Sequence, residues 1–333
     1  MAKFIRALGL FSGGLDSILA ATVLRRQGLD VTGIFFVTPF FTADLARQSA
    51  AHINLPLIVE DFTDNFFPLI YAPPHGFGRG HNPCIDCHLL MLRSAAVRLG
   101  EGGFDFLFSG EVLGQRPMSQ NRGSLNLIAR ESGVKELLLR PLSARLLSPT
   151  QPELSGWVDR EKLLDLSGRG RKRQMDLAAA YGITDYPAPA GGCLLTDPGY
   201  AGRLKETLRH QPEVTRRDLE LLKWGRHFRL PGGAKAVVGR TQRDNEALQG
   251  LIVPGDRALK TAGYPGPLVL VLGPAPESDL REAAGLAAAY SDAATGTDLA
   301  VTVQDERETG LINLTAPPKN QFAAWLVGAE RKK

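Results

Sequence analysis

Cysteine is scarce in this chain of 333 residues, which contains only three, and long hydrophobic runs are absent from it. Three cysteines cannot supply the disulfide framework of a small secreted protein. No apolar run reaches the roughly 18 residues that cross a bilayer. The first residues lead directly into a glycine-rich segment and do not read as a cleavable signal peptide. These absences predict a cytoplasmic protein with no membrane partner.

The composition is that of an ordinary globular protein, with 44% hydrophobic and 22% charged residues. The length is about twice that of a typical domain, so two domains are expected. The formal net charge of +4 permits an acidic partner such as a nucleic acid but does not identify one.

Short apolar runs alternate with helical patterns over roughly the first 190 residues. This alternation predicts an α/β fold with a doubly wound parallel sheet, whose ligands bind at the carboxyl ends of the strands. A second pattern begins near residue 230 and predicts a smaller α/β or α+β domain. The predicted strands cover residues 4–11, 31–37, 57–59, 104–108, 137–140, 234–238, 268–272 and 299–303. The predicted helices cover residues 17–27, 277–290 and a segment from a capping Thr42 to about Ile53.

A segment rich in proline and glycine, residues 186–199, separates the two patterns. Such composition is typical of chain between domains. We therefore expect a first domain over residues 1–195, a basic helical connector over 196–230 and a second domain over 231–333. The chain has no internal repeat and no long low-complexity tract.

A glycine-rich loop, Ser-Gly-Gly-Leu-Asp-Ser at residues 12–17, joins the first predicted strand to the first predicted helix. Glycine lets the backbone approach an anion closely, and a helix N-terminus offers unpaired N–H groups to phosphate. Ser12 and Ser17 add hydroxyl groups. The loop is not the GxxxxGK[ST] loop of common NTPases because no lysine follows it. An ordinary strand-to-helix turn with a capping serine is the simpler interpretation of the same residues.

This loop resembles the SGGxDS signature of the PP-loop family, the N-type ATP pyrophosphatases, and all five fixed positions match. The resemblance implies that ATP binds here and is cleaved between its α and β phosphates, which leaves an adenylated substrate. It also implies that Asp16 helps to place Mg²⁺ or the pyrophosphate. The adenine would lie against the backbone at the end of the second strand, near Phe36, although a phenylalanine there is also typical of plain core.

The three cysteines fall in two places, a Cys84–Cys87 pair followed by His88, and Cys193 far downstream. Thiolate is the reactive and metal-binding form of cysteine. Two cysteines three apart can bind one metal centre, and Cys193 would complete a three-thiolate site for a [4Fe–4S] cluster with one open corner. A zinc site completed by His88 or His81 is a second interpretation. Three further interpretations remain open. Cys87 and Cys193 form a redox pair that carries a persulfide, or Cys84, Cys87 and His88 form a C-x-x-C-H haem attachment string, or all three thiols are inert.

An Asn-Pro pair before Cys84 and a Gly-Gly pair before Cys193 resemble the motifs of the tRNA thiouridine synthetases. In the 2-thiouridylase family the first motif reads NPDxxCN, and this chain has Cys84 in place of the aspartate and Cys87 in place of the cysteine. With Cys84 in place of the aspartate, the motif becomes the CxxC of the iron–sulfur-dependent members of the wider group of thiouridine synthetases. The change also removes a carboxylate that is proposed as a base in the 2-thiouridylase family. We do not transfer that role to Asp86. The resemblance implies that Cys87 and Cys193 act in catalysis together with Asp16. It implies that Cys84, Cys87 and Cys193 hold the metal centre.

Residues 108–115, Phe-Ser-Gly-Glu-Val-Leu-Gly-Gln, together with a following Ser-Gln, resemble the GExLGQ…SQ segment of the 4-thiouridine synthetase family (ThiI). The resemblance implies that Gly110 allows a close approach to the nucleotide and that Glu111 and Gln115 face the adenylate or the target base. A plain glycine turn and helix start is the alternative. The ATP-binding residues predicted from the two resemblances are Ser12, Gly13, Gly14, Leu15, Asp16, Ser17, Phe36, Gly110, Glu111 and Gln115.

Positive charge is concentrated in two stretches, residues 168–173 and residues 203–243. The second has 11 Lys and Arg against 4 Asp and Glu, a difference of +7 that exceeds the +4 of the whole chain. Such a concentration is typical of a surface that contacts RNA phosphates, and a solvated helical face is the alternative. Trp224 and Phe228 lie among the cations, where they either stack on bases or belong to the core. The predicted RNA-binding residues are Arg169, Arg171, Lys172, Arg173, Arg240 and Arg243.

Residues from about 230 to 315 resemble the NFACT-R domain, which is associated with RNA binding. Three motifs occur in the order typical of that domain: VGR…NE at 237–246, PGP at 265–267 and an alanine-rich stretch that ends in Tyr-Ser at 283–291. The resemblance implies that the second domain holds RNA.

Together the resemblances imply an ATP-dependent tRNA sulfurtransferase that forms 2-thiouridine or 4-thiouridine. The uracil carbonyl is adenylated, and a sulfur nucleophile displaces AMP. The implied partners are tRNA and a sulfur donor, which is a cysteine desulfurase, a sulfur carrier or free sulfide, and a homodimer is compatible with the sequence. The implied cofactors are ATP, Mg²⁺ and a [4Fe–4S] cluster, with Zn²⁺, or a persulfide and no metal, as alternatives.

Two other functions compete with thiolation. The first is a zinc-stabilised RNA-binding protein whose nucleotide loop is regulatory and which has no thiolation activity. The second keeps the PP-loop but adenylates a carboxylate for amide synthesis, and it gives no reason for the cysteines or the basic stretches.

Overall fold

A computed structural model describes residues 4–188, 192–305 and 308–328. The chain divides into two compact units, Met1–Leu194 and Leu195–Lys333. Within the described ranges, no helix is both long and apolar enough to span a membrane.

The first unit is built on a five-stranded sheet in which every neighbouring pair is parallel. Its strand order is β3-β2-β1-β4-β5, so the direction of winding reverses between the two central strands β1 and β4. Loops that leave such a switch point on neighbouring strands diverge and open a crevice for a ligand. The predicted doubly wound parallel sheet is confirmed. The strands are β1 (Arg6–Leu10), β2 (Asp30–Val37), β3 (Leu57–Asp61), β4 (Phe106–Ser109) and β5 (Leu138–Leu139).

Helices connect these strands and cover the sheet. The first helix is apolar on nearly all sides, with Ile18, Leu19 and Leu24 fully buried, and it contacts both the sheet and the last helix of the unit. Each such side chain contributes roughly 1.5–3 kcal/mol to folding through its burial. The helices are α1 (Leu15–Arg25), α2 (Asp44–His52), α3 (Thr63–Tyr71), α4 (Cys84–Glu101), α5 (Arg122–Glu131), α6 (Gln151–Leu154) and α7 (Lys172–Ala180).

Most boundaries in this unit differ from those predicted by one or two residues, and two of the differences have a clear cause. Thr42 is not the cap of the second helix, because its hydroxyl donates to the Asp44 carboxylate at 2.8 Å and the capping position is Ala43. The helix therefore begins one residue later than predicted. Phe4 is 81% exposed, and the first strand begins at Arg6.

The second unit contains a seven-stranded sheet in which every neighbouring pair is antiparallel. Its order is β11-β10-β8-β9-β7-β6-β12. The predicted second domain of α/β or α+β type is confirmed in its α+β form. The strands are β6 (Arg226–Arg229), β7 (Lys235–Val238), β8 (Arg257–Thr261), β9 (Val269–Leu272), β10 (Asp298–Gln304), β11 (Thr309–Thr315) and β12 (Leu326–Val327). The helices are α8 (Pro198–His210), α9 (Arg216–Leu221), α10 (Gln242–Gly250) and α11 (Glu277–Ala289).

The alanine-rich helix α11 packs on one face of this sheet. Its small side chains bring the helix close to the strands, and Gly285 leaves room for the ring of Phe322, which would lie 3.1 Å from an added Cβ. A smaller apolar cluster that includes Leu248 of α10 and Leu270 of β9 covers the other face. The helices α8 and α9 belong to this compact unit, and the three-part division made from the sequence stays a prediction.

Candidate active site

The glycine loop follows β1 and opens α1 at the switch point of the first sheet. Gly13 has a φ of +77°, and a Cβ there would lie 2.7 Å from the backbone oxygen of Leu45, so the position admits only glycine. The hydroxyl of Ser49 donates to the Gly13 carbonyl at 2.8 Å and fixes the loop from the α2 side. Gly14 caps α1 without a side-chain hydrogen bond, which leaves the first N–H groups of the helix available to an anion.

The two serines hold the shape of the loop. The Gly14 N–H donates to Ser12 Oγ at 3.3 Å, and the Ser17 hydroxyl donates to the Gly14 carbonyl at 2.8 Å. Ser12 is exposed and Ser17 is buried, so only Ser12 presents its hydroxyl to solvent.

Asp16 and Gln115 meet across the crevice, although they lie 99 residues apart in the sequence. Gln115 Nε2 donates to Asp16 Oδ2 at 2.7 Å. The other oxygens of the pair, Asp16 Oδ1 and Gln115 Oε1, are shielded from solvent and have no hydrogen-bond partner among the described residues, as is true of Gln120 Oε1. Shielded acceptors of this kind are costly unless a donor or a cation binds them.

Gly110 brings the end of β4 against the glycine loop. A Cβ at this position would lie 2.7 Å from the Ser17 amide nitrogen and 2.8 Å from the Asp16 carbonyl oxygen. The close approach therefore requires glycine, and it places the loops after β1 and β4 in direct contact.

Glu111 is buried and has partners for both carboxylate oxygens. Its Oε2 accepts hydrogen bonds from Ser109 Oγ at 2.9 Å and from Arg140 Nε at 2.8 Å. Its Oε1 lies 2.8 Å from Nδ1 of His88. Burial opposes ionisation, but the nearby Arg140 and His88 outweigh it and hold the pKa of Glu111 well below its usual range. Glu111 therefore holds His88 and Arg140 in place, a role that the sequence reasoning did not foresee.

Cys84, Cys87 and His88 occupy the first turns of α4. The spacings of three and four residues put all three side chains on one face of the helix. The amide of Asn82 donates to Cys84 Sγ at 3.1 Å. Burial, and then the charges of Cys193 and Cys84, raise the pKa of the Cys87 thiol. Cys193 thus lies within electrostatic range of Cys87 despite its distance in the sequence.

The donor set is three thiols, and thiolates can hold either an iron–sulfur cluster or a zinc ion. The three thiols share one neighbourhood. In the part of the chain that the structure describes, no three His, Cys, Asp or Glu side chains are close enough together to hold a single metal ion. Each histidine considered as a zinc ligand uses one ring nitrogen in a hydrogen bond, since His81 Nε2 lies 2.7 Å from the Ile70 carbonyl oxygen and His88 Nδ1 lies 2.8 Å from Glu111 Oε1.

Asp86, on the same turn as the cysteines, is also committed to a structural contact. Its carboxylate lies 2.7 Å from Nδ1 of His75 and accepts the His75 backbone N–H at 3.0 Å. Asp86 thereby ties the preceding loop to the start of α4 and is 4% exposed.

Phe36 is a core residue. It is 2% exposed, and its ring centroid lies 5.0 Å from that of Phe62. A contact with adenine at this position would therefore have to use the backbone, as the resemblance implied.

The first basic stretch begins beside the crevice. The Gly168 N–H donates to the Leu113 carbonyl at 2.8 Å, which joins this stretch to the segment that ends at Gln115. Arg173 pairs with Asp165 at 2.5 Å. The Nε atom of Arg171 is shielded and has no hydrogen-bond partner within the described ranges, whereas Arg169 and Lys172 are exposed.

The second basic stretch carries less free charge than its composition indicates. Arg217 pairs with Asp256, Arg229 lies 2.7 Å from Glu206, and Lys235 lies 3.4 Å from the same carboxylate. Burial lowers the pKa of Lys235 to about 8.

Of the two aromatic residues in this stretch, Phe228 is 1% exposed and belongs to the core. Trp224 is partly exposed beneath the guanidinium of Arg243, at 5.6 Å from its ring centroid. Arg240, the other predicted RNA-binding residue here, lies 2.8 Å from Asp244.

Comparison with known proteins finds two kinds of similarity. Residues 225–326 match the family described as the NFACT protein RNA binding domain. A tRNA-specific 2-thiouridylase (MnmA) of Clostridium acetobutylicum is 32% identical over 118 residues, which is 30% of this chain and 33% of that protein. Its counterpart in Nocardioides sp. is 26% identical over 225 residues, 61% of this chain and 58% of that protein. The chain thus spans between a third and three fifths of the length of these two relatives.

Two solved structures are also similar in part. One is a 4-thiouridine synthetase in complex with RNA and ATP, with 20% identity and a TM-score of 0.37, covering 62% of this chain and 51% of that one. The other is a predicted tRNA methyltransferase subunit of Methanocaldococcus jannaschii, with 17% identity and a TM-score of 0.33, covering 53% and 76%. The resemblance to tRNA thiouridine synthetases and the resemblance to the NFACT-R domain are confirmed, since the chain is similar to tRNA-specific 2-thiouridylases and its residues 225–326 match the NFACT RNA binding domain family.

Proposed function

We propose that this protein is an ATP-dependent tRNA uridine thiolase that releases AMP and pyrophosphate. The observation that carries the proposal is the hydrogen bond between His88 and Glu111, at 2.8 Å. It links the cysteine turn of α4 to the loop after β4, which Gly110 holds against the glycine loop. A nucleotide-binding crevice and a group of thiols therefore adjoin each other, as activation followed by sulfur transfer requires.

ATP binds with its phosphates at the glycine loop. The free N–H groups at the start of α1 and the exposed hydroxyl of Ser12 face the anion. Asp16 Oδ1 is a shielded oxygen without a protein donor among the described residues, and such an oxygen suits a Mg²⁺ ion or its bound water. When bound, Mg²⁺ offsets the charge on the phosphate oxygens.

The uracil carbonyl oxygen attacks the α phosphorus of ATP, and the bond to the β phosphate breaks. The proton on the ring nitrogen is lost, and pyrophosphate leaves. The carbonyl oxygen now belongs to AMP, which is a good leaving group where the oxygen alone was a poor one. Hydrosulfide then attacks the same carbon and AMP departs, and transfer of the S–H proton to the ring nitrogen leaves C=S in place of C=O. A persulfide would instead form a carbon–sulfur–sulfur link as AMP departs, and the second cysteine would attack the cysteine-side sulfur, which releases C=S and leaves a disulfide between Cys87 and Cys193.

Cys84, Cys87 and Cys193 hold the sulfur for this second step. In the form that we favour they ligate a [4Fe–4S] cluster, which supplies an open iron for an external sulfide when bound. Burial raises the pKa of the Cys87 thiol, so a metal or a base must remove its proton before the sulfur can ligate iron or act as a nucleophile. A persulfide on Cys87 or Cys193 is the alternative.

The tRNA makes contact with both units. The first basic stretch adjoins the crevice through Gly168, so its cations are candidates for contacts with the tRNA phosphates. These cations are Arg169, Arg171, Lys172 and Arg173. Arg240 and Arg243 lie in the region that matches an RNA binding domain. The sulfur comes from a cysteine desulfurase, a sulfur carrier or free sulfide, and the reaction takes place in the cytoplasm.

The test is a reaction of the anaerobically purified chain with ATP, sulfide and tRNA that lacks thiouridine. We expect thiouridine in the nucleoside digest by mass spectrometry, one AMP for each thiouridine, and iron and sulfide in the protein. Asp16→Asn and Cys193→Ala should abolish the product, whereas Asp176→Asn, on the surface of α7, should not.

If protein that contains no iron still converts uridine to thiouridine, the sulfur is carried as a cysteine persulfide and not on a cluster. A chain that contains one zinc ion, binds RNA and releases no pyrophosphate would instead be the RNA-binding protein with a regulatory nucleotide loop.

A further inference from the structure

One end of the second sheet carries cations over aromatic rings. The Arg226 guanidinium lies 5.1 Å from the ring centroid of Tyr290, and the Lys319 ammonium lies 5.6 Å from the same centroid. The Arg243 guanidinium lies 5.6 Å from the ring centroid of Trp224. These distances fall within the range of cation–π attraction. We name this set the arginine–aromatic surface, and it consists of Trp224, Arg226, Arg240, Arg243, Tyr290 and Lys319.

A buried carboxylate organises this surface. Asp244 Oδ2 accepts hydrogen bonds from the Gly225 N–H at 3.3 Å, from the Arg240 N–H at 3.0 Å and from Arg240 Nε at 2.8 Å. Burial opposes ionisation of Asp244, but the bonds from Arg240 outweigh it and hold its pKa below the usual value. Asp244 therefore fixes Arg240, whose side chain remains 46% exposed.

Gly225 joins the two cation–aromatic stacks, since Trp224 and Arg226 are its neighbours in the chain. It has a φ of +68°, and a Cβ there would lie 2.6 Å from the Val238 carbonyl oxygen. The tight turn thus presses against β7 and places both stacks at the same end of β6, with Trp224 on one face of the sheet and Tyr290 on the other.

The chemistry of the surface distinguishes between kinds of nucleic acid. A duplex offers mainly phosphates and sugar hydroxyls to a protein, and bare cations suffice to bind it. Unpaired bases stack on aromatic rings and on the planes of guanidinium groups. An arginine that already lies over a ring is held in place for such stacking and loses little entropy on binding.

We propose that the arginine–aromatic surface binds unpaired nucleotides of the RNA. The inference rests on the proposed function for its choice of RNA as the partner, and it adds which part of the RNA the second unit holds. The guanidinium groups of Arg226 and Arg243 stack with bases on the faces turned away from the rings beneath them, and Arg240 and Lys319 contact the adjoining phosphates.

The experiment measures fluorescence anisotropy of two labelled RNA duplexes, each annealed from two strands, one with a single-stranded tail and one blunt, titrated with the full-length protein without ATP. We expect the tailed duplex to bind more tightly, and Arg243→Ala to weaken its binding by roughly 5-fold to 100-fold, as the loss of one stacked base does. Lys319→Ala should weaken binding and lower the slope of log K against log salt by about 1. Arg281→Ala, an exposed arginine paired with Glu277 near the other end of α11, is the matched control and should change neither quantity.

Equal affinity for the blunt and tailed duplexes, or an Arg243→Ala variant with unchanged melting temperature and unchanged affinity for the tail, overturns the inference. Its failure is separable from failure of the proposed function, because the titration needs neither ATP nor sulfur. A chain that binds the tail selectively and forms no thiouridine contradicts thiolation alone. A chain that thiolates tRNA but prefers no tail contradicts this inference alone.

Discussion

Glu111 is the most informative single residue, because its role depends on partners distant in the sequence. The GExLGQ resemblance predicted a side chain that faces the nucleotide, but the structure gives both carboxylate oxygens internal partners. One of them, His88, directly follows the cysteine pair, where the sequence indicates a zinc ligand or part of a haem attachment string. A local motif can identify such a residue as important, but it cannot reveal which distant side chain will neutralise it.

Replacing Glu111 by glutamine should destabilise the first unit strongly. The substitution removes the negative charge and leaves Arg140, which is 6% exposed, buried without an ionic partner. Breaking a buried ion pair on one side costs about 3–5 kcal/mol. Urea unfolding followed by circular dichroism would measure the change in the free energy of unfolding.

The matched control is Glu136→Gln, since Glu136 pairs with Lys135 at 3.5 Å and its side chain is 70% exposed. We expect that variant to differ from the parent by less than about 0.5 kcal/mol in its free energy of unfolding.

The pKa of Glu111 is lower in the folded protein than in the unfolded chain. The carboxylate therefore stabilises the folded protein at any pH above the pKa of the unfolded chain, and this stabilisation is lost as the pH falls towards the pKa of the folded protein. The stability gap between parent and Glu111→Gln should therefore narrow on acidification, and a gap that widens, or is absent at neutral pH, contradicts the role given to Glu111.

At the scale of elements, the switch point between β1 and β4 sets the site. The sequence predicted both strands and the loop after β1, because apolar runs and glycine signals act over a few residues. It did not reveal that Gly110 would contact Asp16 and Ser17, since packing between loops about a hundred residues apart leaves no local pattern. The start of α2 also differs from the prediction because of a side-chain contact, since the Thr42 hydroxyl donates to the Asp44 carboxylate and does not cap a backbone amide.

Gly110→Ala should weaken ATP binding. The new methyl group would lie within 2.8 Å of the backbone at Asp16 and Ser17, so the glycine loop must shift. Overpacking of this size costs about 1–3 kcal/mol, which corresponds to roughly 5-fold to 150-fold in affinity if it falls on the bound form. Isothermal titration with ATP would measure the affinity.

Gly100→Ala is the control, because it lies in α4 with no atom within 4 Å of the added Cβ. It should leave the ATP affinity unchanged and slightly favour the helix. If Gly110→Ala binds ATP as the parent does, the nucleotide does not occupy the crevice between these two loops.

At the scale of the whole molecule, two units of different fold class carry the two resemblances. The three cysteines that the sequence assigned to one centre lie in one electrostatic neighbourhood of the first unit. The charge count was a weaker guide, because several cations near the start of the second unit are bound by internal carboxylates such as Glu206 and Asp256. Counting residues cannot separate a cation that faces solvent from one that fills an internal ion pair.

The central claim is that the uracil carbonyl oxygen attacks ATP and leaves with AMP. The most direct measurement is mass spectrometry of AMP formed from tRNA whose uridine carbonyl oxygens are labelled with oxygen-18. The account predicts one labelled oxygen in the AMP for each thiouridine formed, with unlabelled pyrophosphate. Thiouridine formed with unlabelled AMP, or no AMP at all, would contradict it.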